Sequence, residues 1–173
     1  LTLIDYSLAS TEKRLWVVDL KQKKMLYHTY VAHGKNTGEN YARNFSNVPR
    51  SFRSSLGFFV TGKTYKGRNG LSLILKGKEK GINHNALRRA IIMHGANYVS
   101  KKFISKYGRL GRSYGCPAIP MNQHKEIIHT LKDGTCLFIY YPDKNYQKKS
   151  GILNSELFVN DPGRNILKPE AEE

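Results

Sequence analysis

Residues 135–142 read TCLFIYYP. The first seven carry no charge and are rich in aromatic and branched side chains, the composition of a strand covered on both faces. Pro142 stops the run, because proline cannot donate to a sheet ladder. The most apolar stretch of the chain is therefore expected as a central strand, which puts the core on a sheet. Cys136 lies inside this run, and its thiol is expected there as a small buried hydrophobe.

The segments upstream support the same reading. Residues 122–134 (NQHKEIIHTLKDG) suit a helix, with Asn122 as cap, Ile127, Ile128 and Leu131 on one face, and Gly134 as the stop. Residues 90–95 (AIIMHG) read as a short apolar strand that ends in histidine and glycine, after a short helix expected over 83–90 with Asn83 or Asn85 as its cap. The pairs 14–20 with 25–34, and 56–65 with 71–77, read as hairpins. In the first of these, Trp16, Val18 and Leu20 share a face. Residues 35–55 and 96–119 are polar and read as loops. The fold class that follows is mostly β, a mixed β-sandwich or barrel-like domain over 1–142 with short peripheral helices. Residues 143–173 form a polar C-terminal tail that packs on the domain or frays.

Length and charge set further bounds. A chain of 173 residues suits one domain and can bury a core without disulfides. Two cysteines are too few for a disulfide scaffold or a cysteine-rich zinc site. The net charge of +16 (29 basic against 13 acidic residues) draws the chain towards polyanions. No RNP-like or zinc-finger spacing accompanies it, so no nucleic-acid partner is expected. No run is long and apolar enough for a membrane span. The chain opens on LTLIDYS, already strand-like, which fits removal of an upstream leader.

The second cysteine lies in RLGRSYGCPAIP, residues 109–120. Gly115 permits backbone angles closed to other residues, and Pro117 fixes φ and removes a donor. Such a turn can push the Cys116 thiol outward and leave the Gly115 and Cys116 N–H groups free as an oxyanion hole. Arg109 and Arg112 stand near in sequence and would favour the thiolate. The plainer alternatives are a buried loop thiol or a disulfide to Cys136. A cysteine nucleophile needs a base. His94 ends an apolar strand 22 residues before Cys116, at an edge of the kind catalytic side chains favour. His33, in VAHG, is its chief competitor. His28, His124 and His129 read as surface or packing residues. No HExxH or CxxC pair points to a metal.

MHGANYVS followed by GRSYGCPAIP resembles the signature of the YkuD-type murein L,D-transpeptidase catalytic domain family. TYVAHGKNTG resembles that family's second strand and SSLGFFVTG its TPxGxF strand, so the resemblance runs over residues 3–142. It implies a mixed β-sandwich with Cys116 as acyl-accepting nucleophile, His94 as general base, and Ser113, Tyr114 and Gly115 as residues shaping the motif. The family often has histidine where this chain has Tyr114, and asparagine or arginine where it has Ala118. Both departures bear on how a substrate carboxylate is held.

The implied activity is transfer of a peptidoglycan stem peptide through a thioester. The result is a cross-link or exchange of the terminal D-amino acid. Hydrolysis of the same bond (L,D-carboxypeptidase) and non-catalytic peptidoglycan binding are the alternatives. No metal or organic cofactor is needed. The protein is expected in the periplasm or cell envelope, as a monomer. Arg112 is the first candidate to grip a substrate carboxylate, with Arg109 behind it and Asn97, Tyr98 and Ser100 on the facing wall.

Overall fold

The computed structural model describes residues 1–156. Its strands are β1 (Thr2–Asp5), β2 (Leu15–Asp19), β3 (Lys24–Thr29), β4 (Gly57–Gly67), β5 (Gly70–Gly77), β6 (Ile92–Ala96), β7 (Ala118–Pro120) and β8 (Cys136–Tyr140). They form one eight-stranded mixed sheet in the order β3-β2-β1-β8-β4-β5-β6-β7. The stretch at 135–142 does supply a central strand: β8 runs parallel to β1 on one side and antiparallel to β4 on the other. The two ends of the sheet approach each other beyond β3, where Ala32 N–H donates to Ala118 O at 2.8 Å and Ala118 N–H returns to Ala32 O at 3.3 Å. That bridge makes the sheet a near-closed barrel and removes part of two edges.

The core lies inside the curved sheet. Ile4, Leu15, Phe59, Leu73, Leu137 and Ile139 are all buried. Helix α2 (His124–Leu131) seals one side, with Ile127, Ile128 and Leu131 buried in the same cluster and α2 in contact with β4, β5 and β6. Each such side chain contributes about 1.5–3 kcal/mol by leaving water. A short helix α3 (Lys144–Lys149) covers the outer face of β8, where Phe138 stacks with Phe58 and lies 6.4 Å from Tyr146. The buried Glu79 carboxylate fixes α3 by accepting from Phe58 N–H (2.7 Å), Tyr146 OH (3.2 Å) and the Ser150 hydroxyl. Residues 143–156 thus pack on the domain, whereas the rest of the expected tail, 157–173, lies outside the described residues.

Several expectations are corrected. In β8 only Leu137 and Ile139 point inward, and Cys136 is exposed at the first position of the strand, opposite Val60. The period of two decides this, and apolar composition alone could not. In β2 the inward face is Leu15 and Val17, while Leu20 is 65% exposed and Trp16 stacks on His28 at 5.0 Å. Residues 83–90 form successive turns and no helix. The Asn83 side chain bridges instead, donating to Leu56 O and Phe58 O and accepting from Glu79 N–H. Helix α2 starts at His124 after Gln123, which makes no side-chain cap. The loop expected over 96–119 contains helix α1 (Lys101–Tyr107), capped by Ser100 Oγ on Phe103 N–H and ended by Gly108 at φ 69°.

Candidate active site

The turn before β7 presents Cys116. It is built by one hydroxyl: Ser113 Oγ donates to Cys116 O at 2.6 Å and accepts from Gly115 N–H at 3.0 Å. Gly115 sits at φ 122°, and a Cβ there would lie 2.8 Å from Arg53 O. Both the angle and the space demand glycine. Gly34 is needed for the same approach, since its Cβ would stand 2.9 Å from Gly115 Cα. The turn is tied from outside by Ser54 Oγ, which donates to Gly115 O at 3.1 Å, and by Ser113 N–H to His33 O at 3.0 Å. The Gly115 N–H is therefore engaged and is not a free oxyanion donor. The Cys116 N–H has no partner among the described residues.

The Cys116 side chain is half-buried and lies against β6. Its Sγ donates to Ala90 O at 3.6 Å, and the Ile92 N–H points at the sulfur. Burial pushes the thiol above its ordinary pKa, partly opposed by the Ile92 amide and by the Arg89 guanidinium. Both cysteines are free thiols, so no disulfide joins them.

His94 lies on β6 directly across from Ala118 of β7. Cys116 thus stands two residues before the partner of His94, about 7 Å of strand away. On the β6 side the sulfur contacts Ala90 and Ile92, the latter also two residues from His94. His94 Nδ1 is 3.0 Å from Gly95 O. A carbonyl only accepts, so the Nδ1 carries the proton and Nε2 keeps its lone pair. Burial holds the imidazole below its ordinary pKa, with His124 adding to the effect. A neutral imidazole with a free Nε2 is what a base for a thiol requires.

His33 is spoken for. Its Nδ1 accepts from the buried Arg14 guanidinium at 2.7 Å, and its Nε2 donates to Gly38 O at 3.2 Å. Burial and the Arg14 charge push it down to about 3. Both ring nitrogens are committed, which leaves no lone pair for Cys116.

The remaining expected residues are dispersed. Arg109 and Arg112 share the Glu39 carboxylate, at 2.9 Å and 2.5 Å, and Arg112 also donates to Lys35 O and Gly38 O. The cation that acts on Cys116 is Arg89, which sequence reading did not single out. Its guanidinium donates to Ser46 O, Arg53 O, Ser51 Oγ and Ser55 Oγ and so pins the 46–55 segment beside the turn. Tyr98 packs on Gly111, and burial with the nearby Cys116 and Tyr6 pushes its phenol up. Asn97 and Ser100 instead line a cavity of about 550 Å³, with Lys13, Lys101 and Lys102, whose lining includes neither His94 nor Cys116. Tyr114 is 68% exposed and packs on Phe52. Among the described residues no group of three or more His, Cys, Asp or Glu is placed to hold a metal, and no helix is long and apolar enough to cross a membrane.

A search of curated proteins finds no match to the chain. Among solved structures, the helical cell shape determining protein Pgp2 from Campylobacter jejuni is similar, with a TM-score of 0.55 and 14% identity over 83% of this chain and 47% of its own. The Ldtfm–avibactam carbamoyl enzyme aligns with a TM-score of 0.46 and 14% identity over 82% of this chain and 49% of its own. The chain spans about half the length of both. At this identity the likeness to Pgp2 speaks for the fold alone. The family model described as the L,D-transpeptidase catalytic domain matches residues 1–140, which include every strand of the sheet together with His94 and Cys116. On that match, the chain belongs to the L,D-transpeptidase catalytic domain family.

Proposed function

We propose that the protein is a cysteine-dependent L,D-transpeptidase that acts on peptidoglycan stem peptides through a thioester on Cys116. The observation that carries this reading is a glycine-turn thiol two residues before Ala118, the strand partner of a neutral histidine whose Nδ1 is already bound to Gly95 O. In the first step the S–H bond swings from Ala90 O to His94 Nε2, which takes the proton. The sulfur attacks the amide carbonyl at the L-centre of the stem's diamino acid. The Cys116 N–H supports the developing oxyanion. His94 returns its proton to the departing amine, and the terminal D-amino acid leaves. An amine on a second stem then attacks the thioester, gives its proton to His94, and restores the thiol. No metal or organic cofactor enters these steps.

Stem peptides carry carboxylates, and a chain of net charge +16 suits such a polymer. The same reading places the protein in the periplasm or cell envelope, working as a monomer on stem peptides rather than on nucleic acid. Incubation with a disaccharide-tetrapeptide, followed by mass analysis, tests the reading. A cross-linked dimer is expected for transpeptidation, and a terminal-residue swap in the presence of a free D-amino acid. A tripeptide product would make the enzyme an L,D-carboxypeptidase. Binding without any product would reduce it to a peptidoglycan-binding domain.

A further inference from the structure

Arg89, Arg109 and Arg112, cations near the Cys116 turn, are already engaged. Arg109 and Arg112 share Glu39. Arg89 gives its guanidinium to four oxygens of the 46–55 segment. Lys35 is a further cation at this turn. Its main chain is fixed to the nucleophile turn, because Lys35 N–H donates to Ser113 O at 2.8 Å and Lys35 O accepts from Arg112 at 3.1 Å. Its ammonium sits over two aromatic rings, 4.5 Å from the centroid of Phe52 and 4.7 Å from that of Tyr114. Those rings are 5.0 Å apart and tilted by 52°, so they form a V-shaped cradle. Both are partly exposed, and Tyr114 is two residues before Cys116.

Ring faces hold a cation in place without neutralising it. They also leave its N–H bonds free, and no acceptor or carboxylate meets the Lys35 ammonium among the described residues. An uncompensated ammonium held at the turn that carries Cys116 suits an anionic group of the substrate. Ala118, two after the cysteine, cannot serve, since it is a buried, uncharged residue of β7.

We propose that Lys35, held across the Phe52 and Tyr114 rings, is the site that binds the C-terminal carboxylate of the peptide cleaved at Cys116. This rests on the reading of Cys116 given above. It assigns to Tyr114 a task of its own: its ring positions the ammonium. The site favours substrates with a free terminal carboxylate over amidated ones.

The test compares a synthetic stem tetrapeptide ending in a D-amino acid with the same peptide carrying a C-terminal carboxamide. Binding is measured by calorimetry on Cys116→Ala protein, which cannot turn either over. The acid is expected to bind about tenfold more tightly than the amide, on the scale of one ordered charged hydrogen bond. Adding Lys35→Met removes the preference by weakening the acid alone, and Lys35→Arg in its place keeps most of it. Phe52→Leu, which opens the cradle but leaves the charge, lowers the preference part of the way. Equal binding of acid and amide, no binding of either, or an unchanged preference in the Lys35→Met protein overturns the assignment. Release of the D-amino acid by wild-type protein is scored separately. An enzyme that turns the peptide over without a Lys35-dependent preference refutes this site and leaves the activity standing. A Lys35-dependent preference without turnover does the reverse.

Discussion

Ser113→Ala removes a single oxygen and tests how the proposed nucleophile, Cys116, is held. The hydroxyl satisfies two backbone groups of the turn, Gly115 N–H at 3.0 Å and Cys116 O at 2.6 Å. Ser113 and Gly115 are both buried. An orphaned buried N–H costs about 1–3 kcal/mol, and the carbonyl of half-buried Cys116, which water can reach, about 1 kcal/mol. The combined cost is about 2–4 kcal/mol. It can surface in two ways. If the turn keeps its shape, folding stability falls by that amount, a drop of about 1–2 M in the urea midpoint at an m-value of about 2 kcal/mol/M. If the turn relaxes instead, the fold is spared and kcat falls, by up to about 30- to 1,000-fold. Urea denaturation and D-amino acid release should be measured on the same preparation, with Ser113→Thr as the control that keeps the hydroxyl. Wild-type values in both assays for Ser113→Ala would refute the claim that this hydroxyl builds the turn.

Other perturbations have expected outcomes. His33 is held at about 3 in the folded protein, against an ordinary 6.5. Between those values the unfolded chain binds a proton that the native state refuses, so stability falls as pH drops through that window, by up to about 1.4 kcal/mol per pH unit. His33→Gln should flatten this acid limb in denaturation curves taken from pH 7 to 4, and an unchanged slope would exclude His33 as its source. Arg89→Gln should raise the pH at which Cys116 becomes alkylable, because the guanidinium lowers the thiol pKa. A mid-point identical to wild type would remove Arg89 from the site. Cys136→Ala should change stability by less than about 0.5 kcal/mol and leave turnover intact, since the thiol is exposed. A loss of 2 kcal/mol or more by denaturation would contradict its outward placement.

The parts of the fold that were legible in sequence are those decided by local composition. The uncharged run at 135–142 declared a central strand, and the hairpins 14–20/25–34 and 56–65/71–77 fell where β2–β3 and β4–β5 pair. His94 and Cys116 stood out in sequence because each lies next to glycine at a strand end or turn, and their catalytic roles are proposals. Sidedness was less accessible. Whether Cys136 faces in or out depends on its register against Val60, which no local pattern records. Helix α1 did have a signal, Ser100 and Gly108 at cap spacing, but it is short and embedded in a polar stretch. The charge arrangement around the turn was out of reach. Glu39 meets Arg112 across 73 positions, and Arg89 meets the 46–55 segment across 34 to 43. Only the folded chain shows that the nearby arginines are engaged elsewhere and that a more distant one takes their place.

Trapping the acyl intermediate tests most directly whether Cys116 carries the acyl group. The protein is mixed with a stem tetrapeptide, quenched in acid after a short interval and digested. An added mass equal to the acyl tripeptide is expected on the fragment spanning residues 113–125, sensitive to hydroxylamine as a thioester is, and absent from Cys116→Ala. One equivalent of D-amino acid is expected in the burst. An adduct on any other residue, or D-amino acid release that persists in Cys116→Ala, would contradict that role for Cys116.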